Sequence, residues 1–323
     1  MKKILTIALS LILALSAFAM FGCGGDATFD GNYTEMSATE LTAYKAEVAE
    51  KEIKYEEDKI VAGKGFEINV DAKMKTDFEE DGMAVLSDAS VKANYKMAYA
   101  DKLVMGGNYE VKSDASTKGE YPVVGAIDVK ANVDVKADFA FDGEAVYVSA
   151  KAKGSISGVP EALESMIGEN ISVDKEYKVK QEVDFYEVER EITGFVSSYT
   201  ADIDLNMMLE MYTAEGVEDV KILIDKSDVN NVKVKFEMSG MPFADNDDPE
   251  AKELEFKEAY VIIVYDSETN VFKACKQVMN LQLSEEMSID MTFSIKPYDG
   301  TVEMPADAAD YKEGEAFDYG VNF

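Results

Sequence analysis

Ile127-Asp128-Val129-Lys130-Ala131-Asn132-Val133-Asp134-Val135-Lys136-Ala137-Asp138-Phe139-Ala140-Phe141 is the stretch that decides the fold. Apolar side chains stand at every second position, and Asp, Lys and Asn fill most of the positions between them. A β-strand sends successive side chains to opposite faces, so this pattern is a strand with one dry and one wet face. Its length implies a strongly coiled sheet. Asp142-Gly143 supplies the tight turn of a hairpin. Val146, Val148, Ala150 and Ala152 return from it in the same alternation.

The pattern extends upstream. Phe66, Ile68, Val70, Ala72, Met74, Thr76 and Phe78 alternate with Glu67, Asn69, Asp71, Lys73, Lys75 and Asp77. Glu79-Glu80-Asp81-Gly82 reads as the next turn. Val91, Ala93, Tyr95, Met97 and Tyr99 form a second strand, and Leu103, Met105, Tyr109 and Val111 a third. Gly106-Gly107 interrupts the third and suggests a bulge or bend. Strands this close together make an antiparallel meander, not βαβ units. Strands resume at 220–224, 232–238 and 259–265. A last hairpin covers 271–283 and 287–295, turning at Ser284-Glu285-Glu286.

Two regions carry a helical period instead. Thr39 is placed to cap a helix over 39–61, with Leu41, Tyr44 and Val48 on one face and Gly63 and Gly65 ending it. Gly158-Val159-Pro160 breaks the sheet, and Pro160 opens a helix over 160–168. Within 184–212, Phe185, Val188, Ile192 and Phe195, then Leu205, Met208, Leu209 and Met211, recur at helical spacing. The expected fold is therefore α+β: a long, curved antiparallel sheet with an N-terminal helix and a central helical segment on its concave face. One domain spans 39–305, with a helical insert at about 158–216. An acidic tail, 306–323, follows and is expected to lie extended on the surface.

The N-terminus has its own signature. Lys2 and Lys3 precede an apolar run from Ile4 to Phe21, which ends at Met20-Phe21-Gly22-Cys23. A charged start, an apolar middle and a small residue before a cleavage point make a secretory signal. Cys23 directly after Gly22 resembles the lipobox of bacterial lipoproteins, with Met20 where that family usually has Leu. The resemblance implies that residues 1–22 are a signal peptide and that Cys23 is acylated as the first mature residue. Residues 23–38 are then the lipidated Cys and a flexible tether. A plain signal peptide or a spanning anchor are the competing readings. The run is at the lower length limit for a membrane span, and Gly24, Gly25 and Asp26 follow it instead of a basic stop-transfer cluster. The expected location is the extracytoplasmic face of a bacterial cell membrane, held by lipid.

Composition narrows the function. The chain has 32 basic and 64 acidic residues, a formal charge of −32. That field repels the phosphates of nucleic acid and the head groups of anionic lipid. There is no His, so Ser-His-Asp triads and His-ligated zinc sites are impossible. With 64 acids no carboxylate pair is informative as an acid–base dyad, and Ser155, Ser197 and Ser198 lack a nucleophile-elbow setting. Asp245, Asp247 and Asp248 offer oxygen ligands for calcium, but the calcium-loop Gly and Glu are missing. No cofactor, metal or enzymatic activity is expected. Cys275 lies in an alternating stretch and reads as a small buried hydrophobe.

The order of elements resembles the LolA-like group of bacterial lipoproteins and lipoprotein carriers, which includes the mycobacterial LppX and LprG type and lipoproteins of low-GC Gram-positive bacteria. Locally the resemblance rests on Val264-Tyr265-Asp266-Ser267-Glu268-Thr269-Asn270 before a strand pair. Tyr298-Asp299-Gly300-Thr301-Val302-Glu303-Met304-Pro305 then closes it. The resemblance implies a half-barrel sheet with a cavity for acyl chains between sheet and helices. Ala72, Ala93, Ala131, Ala137, Ala150 and Ala152 on the dry face leave room, either for close helix approach or for such a cavity. Val133, Val135, Phe139, Val148 and Met291 on the sheet, with Phe195, Met208 and Met211 on the helices, are the residues expected to line it. The expected function is non-catalytic binding of a hydrophobic or amphiphilic ligand. The alternative is an envelope surface lipoprotein with a filled core that serves as a structural or protein-binding module, with a partner the sequence does not name.

Overall fold

Period-two patterning becomes a 13-stranded sheet in the computed structural model of the protein. The structure describes residues 28–50, 65–80, 82–99, 102–121, 125–163, 171–183, 205–214, 220–239, 255–269, 271–284 and 286–314. After a short β1 (Thr34–Glu35) and helix α1 (Ala38–Glu50) come six strands in sequence. They are β2 (Gly65–Glu80), β3 (Met83–Tyr99), β4 (Leu103–Tyr121), β5 (Gly125–Phe141), β6 (Ala145–Ser157) and β7 (Ile171–Glu182). Helix α2 (Leu205–Tyr212) follows. A second meander is β8 (Val220–Asp225), β9 (Val232–Met238), β10 (Glu255–Asp266), β11 (Val271–Ser284) and β12 (Met287–Tyr298). A short β13 (Lys312–Glu313) ends the described chain.

Each meander pairs in order, and β12 pairs with β2 along Met287–Tyr298 to join the two into one curved, unclosed sheet. All pairings are antiparallel except the two-residue contact of β13 with β7. Strand β4 has 19 residues, about 60 Å at the usual rise. That is far beyond the common range for strands.

Cross-strand charges pin this long register on the wet face. Lys92 meets Asp71 at 3.5 Å, Lys136 meets Glu110 at 3.1 Å and Lys151 meets Glu176 at 3.2 Å, each pair on directly adjacent strands. Such exposed pairs contribute little energy singly. A slip of one residue, however, would turn every apolar side chain to water. The β5–β6 turn forms as the sequence indicates: Gly143 takes φ of +91°, and Asp142 accepts backbone N–H bonds from Glu144 and Ala145 at 2.9 Å. The same device shapes the β10–β11 turn. There Asp266 accepts from Glu268 and Thr269, and with Lys273 these bonds lower its pKa to about 2.

Both helices lie on the dry face, called the inner face below. Ser37, not Thr39, caps α1. Its hydroxyl faces the Glu40 N–H, and the Glu40 carboxylate accepts from the Ser37 N–H at 2.8 Å, a reciprocal capping box. Tyr44 and Val48 of α1, and Leu205, Met208 and Leu209 of α2, pack onto Val234, Phe236, Ile263 and Ile295. Leu209, Val234, Phe236 and Ile263 are wholly buried. Cys275 sits in this core, and burial pushes its thiol up to about 12, so it serves as a small apolar residue.

The polar element of that core is a pair of phenols. Tyr44 and Tyr265 hydroxyls lie 2.6 Å apart, tying α1 to β10 across 221 residues of sequence. Burial and the facing hydroxyl push the Tyr44 pKa up, so the group stays neutral. Tyr44→Phe is expected to lower stability by about 1–3 kcal/mol, because the Tyr265 hydroxyl is left buried without its partner. Tyr44→Phe combined with Tyr265→Phe is expected to recover part of the loss. Urea titration of the four chains in this double-mutant cycle checks the coupling.

Two expectations change, and the tail gains a definite course. Residues 171–182, expected within the helical insert, form strand β7, and the described part of 160–168 is a single 3-10 turn at Glu161–Leu163. Residues 28–36 are not a free tether. Phe29 is buried on the outer face against Ile262, Val264 and Ala274, and β1 pairs with β8. The tail from 299 to 314 crosses the outer face as a strap. Residues 51–61 of the predicted N-terminal helix and 184–204 of the central one lie outside the described residues.

Candidate functional site

Register decides which candidate lining residues meet. Val133, Val135 and Phe139 on β5, Val148 on β6 and Met291 on β12 all share the inner face with Ile68, Val70 and Ala72 of β2. Phe139 packs on Tyr95, ring centroids 5.3 Å apart, and lies opposite Val148. Met208, however, is in the closed core beneath α2 with Leu205 and Leu209, and Met211 is half-buried. The structure does not bring Met208 together with Val133, which is 43% exposed. Cys23, Phe195 and the calcium candidates Asp245, Asp247 and Asp248 lie outside the described residues.

Beyond the helices the inner face opens. Val133 neighbours Gly154, and Gly154 neighbours Val173 of β7, which is 37% exposed. One row on, Ile156 neighbours Ile171, which is 52% exposed. The missing side chain at Gly154 leaves these aliphatic groups as a shallow apolar row.

A larger cavity, about 780 Å³, lies on the opposite face. Its floor is one cross-strand row: Asn94 on β3, Asn108 on β4, Asp138 on β5, Ser149 on β6 and Lys178 on β7. The floor thus mixes three neutral polar side chains with one acid and one lysine, whereas every member of the next row is charged: Lys92, Glu110, Lys136, Lys151 and Glu176. Asn94 donates to Glu67 at 2.7 Å and to Asn69 at 2.5 Å, which orients its amide. The Lys296 ammonium and the Asn94 amide outweigh burial and hold the Glu67 carboxyl below its ordinary pKa.

The roof is the strap. It leaves β12 at Tyr298, whose hydroxyl donates to the Thr301 carbonyl at 2.9 Å. Lys96 stands 5.3 Å over the Tyr298 ring. Val302 then passes over Gly106, where even a Cβ would come within 2.8 Å of Cγ1. Glycine is needed there so that the strap can lie against β4. Asp307 pairs with Lys178, raising the lysine pKa and lowering that of the acid. Tyr311 meets Tyr147 edge-on at 5.6 Å and lies under Lys178. Lys312 and Glu313 then pair with β7.

Sequence reading passed over this site. Its signal was the uncharged amides Asn69, Asn94 and Asn108 at wet positions otherwise rich in Lys, Asp and Glu. A second cavity, about 500 Å³, lies further along the same strands, bordered by Thr76, Asp88, Ala115 and Asn132. Among the described residues no group of three acidic, Cys or His side chains can hold a metal ion. No described helix is long and apolar enough to cross a membrane.

A scan of family models finds no match for the chain, and a search of curated proteins finds none either. Among solved structures, a beta-barrel-like protein of a domain of unknown function from Brucella abortus aligns with 74% of this chain and 99% of its own, at 10% identity and a TM-score of 0.19. The translocator domain of the autotransporter NalP from Neisseria meningitidis aligns with 80% of this chain and 97% of its own, at 7% identity and a TM-score of 0.20. Superpositions this loose carry no argument about function.

Proposed function

We propose that the protein is a non-catalytic lipoprotein of a bacterial cell envelope, tethered through Cys23, that works through its surfaces and not through a ligand held beneath its helices. The observation that supports this reading is the closed core under α1 and α2. Leu205, Leu209, Phe236 and Ile263 there are at most 1% exposed, which is the packing of an ordinary interior. The charge of −32 keeps such a protein soluble and apart from nucleic acid. Its partner is then another component of the envelope.

One observation favours a second reading, that of a LolA-like carrier for an amphiphile. Val133, Val173 and Ile171 leave an apolar row open on the inner face, and exposed aliphatic rows mark binding surfaces when they are contiguous. An acyl chain would lie along this row. Native mass spectrometry separates the two readings, using the chain from Gly24 onward exported behind a replacement signal. A mass free of adducts, with no uptake of a fluorescent fatty acid, is the expected result. A co-purified lipid released on denaturation would instead make the protein a carrier, and Val133→Asp should then abolish its retention.

A further inference from the structure

We propose that the cavity between the C-terminal strap and the outer face of β3–β7 binds a short, neutral oligosaccharide. The inference stands whether or not the inner face takes an amphiphile, because the two sites lie on opposite faces of the sheet.

The lining disfavours other ligand classes to different degrees. Four acids, Asp138, Glu176, Glu303 and Asp307, outnumber the two lysines, Lys96 and Lys178, in a chain of charge −32, so an anion is repelled. A cation meets Lys96 and Lys178 in the same lining, and two of the four acids are already paired, Asp307 with Lys178 and Glu176 with Lys151 at 3.2 Å. An apolar ligand would strip water from Asn94, Asn108, Asp138 and Ser149 and return no hydrogen bonds.

A neutral polyol meets none of these objections. Amides and hydroxyls each donate and accept, as sugar hydroxyls do, and the floor offers Asn108 and Ser149 with the acceptor Asp138 between them, beside an Asn94 amide already bonded to Glu67 and Asn69. Tyr298 and Tyr311 stand where the strap enters and leaves the cavity, with the Lys96 and Lys178 ammonium groups 5.3 and 5.8 Å from their ring centroids. Aromatic rings pack well against the C–H faces of pyranoses and carry a polar tip for the hydroxyls. The volume of about 780 Å³ lies within the range of small-molecule sites, and its length across several strands suits more than one sugar ring.

The test uses the full chain in a sugar-free zwitterionic detergent, titrated with chitotriose, cellotriose and maltotriose and followed by saturation-transfer NMR. At least one should bind saturably. Gly106→Leu places a side chain under the strap, where even a Cβ would come within 2.8 Å of Val302 Cγ1, and it should abolish the signal. Because that substitution also presses on the strap, Asn108→Ala is the second variant. Asn108 is exposed on the floor, so its loss should leave the melting temperature unchanged yet weaken binding by about fivefold or more, the scale of one or two lost hydrogen bonds. Val229→Ser, on an exposed loop away from the cavity, should bind as the parent does. Failure of all three sugars to bind the folded parent overturns the proposal. So does binding that survives both Gly106→Leu and Asn108→Ala within twofold.

Discussion

Phe236→Ala is expected to lower the unfolding free energy by about 3–5 kcal/mol, the usual cost of emptying a buried aromatic site. Phe236 is wholly buried at the junction of three elements. It lies between Ile222 and Val261 in the sheet and meets the Tyr212 ring of α2 at 5.4 Å. Ile222 and Val261 are strand-borne and held by their ladders, so they collapse little into the hole. Urea titration should show the midpoint falling at constant slope, since the surface exposed on unfolding is unchanged. A loss below about 1 kcal/mol would mean that the space beneath the helices was not filled, and the filled-core reading would fall with it. The expected loss of about 3–5 kcal/mol is a large share of the stability of an ordinary domain.

Cys23→Ala is expected to remove the protein from its membrane anchor altogether. Each buried methylene of an acyl chain contributes about 0.8 kcal/mol to partition, and one chain alone holds only marginally, so stable tethering needs more than one. A chain of charge −32 receives no help from anionic head groups. Growth with radiolabelled palmitate should mark the parent protein and leave Cys23→Ala unmarked. Sequencing the mature parent should place its first residue at Cys23, blocked or modified. Label retained by Cys23→Ala, or a mature start elsewhere, would reduce the leader to an ordinary secretory signal.

Legibility of the fold followed burial. Strand β9 has the bounds that its alternating Val232, Val234 and Phe236 predict, because both neighbours and a helix cover its apolar face. Strand β4 runs on past Val111 through Ser113, Ala115 and Thr117, held by β3 and β5 where side-chain hydrophobicity fades. Strand β7 was missed for a related reason. Lys175 interrupts the run of Ile171, Val173, Tyr177 and Val179, and a strand near the sheet's edge buries too little to enforce a clean pattern. Residues 299–311 of the strap and residues 28–33 have no periodicity to read, since they join no ladder. The amide row was unreadable for a different reason. Asn94, Asn108, Asp138 and Ser149 are far apart in sequence and become neighbours only through the registers of three separate strand pairs.

The seam between β12 and β2 also sets an order of events. It joins residues 287–298 to 65–76, so the pairing at the middle of the sheet is made by segments from near opposite ends of the chain. Loop-closure entropy makes such a contact slow to form. The β2–β7 meander can zip from local hairpins as the chain emerges, while β12 is still to come. Until β12 arrives, β2 shows a bare edge of backbone donors and acceptors, the usual template for mispairing between chains. The alternating Lys, Asp and Glu along that edge, and the strong mutual repulsion of chains so acidic, then protect the newborn protein. Its charge serves the half-made molecule before it serves the finished one.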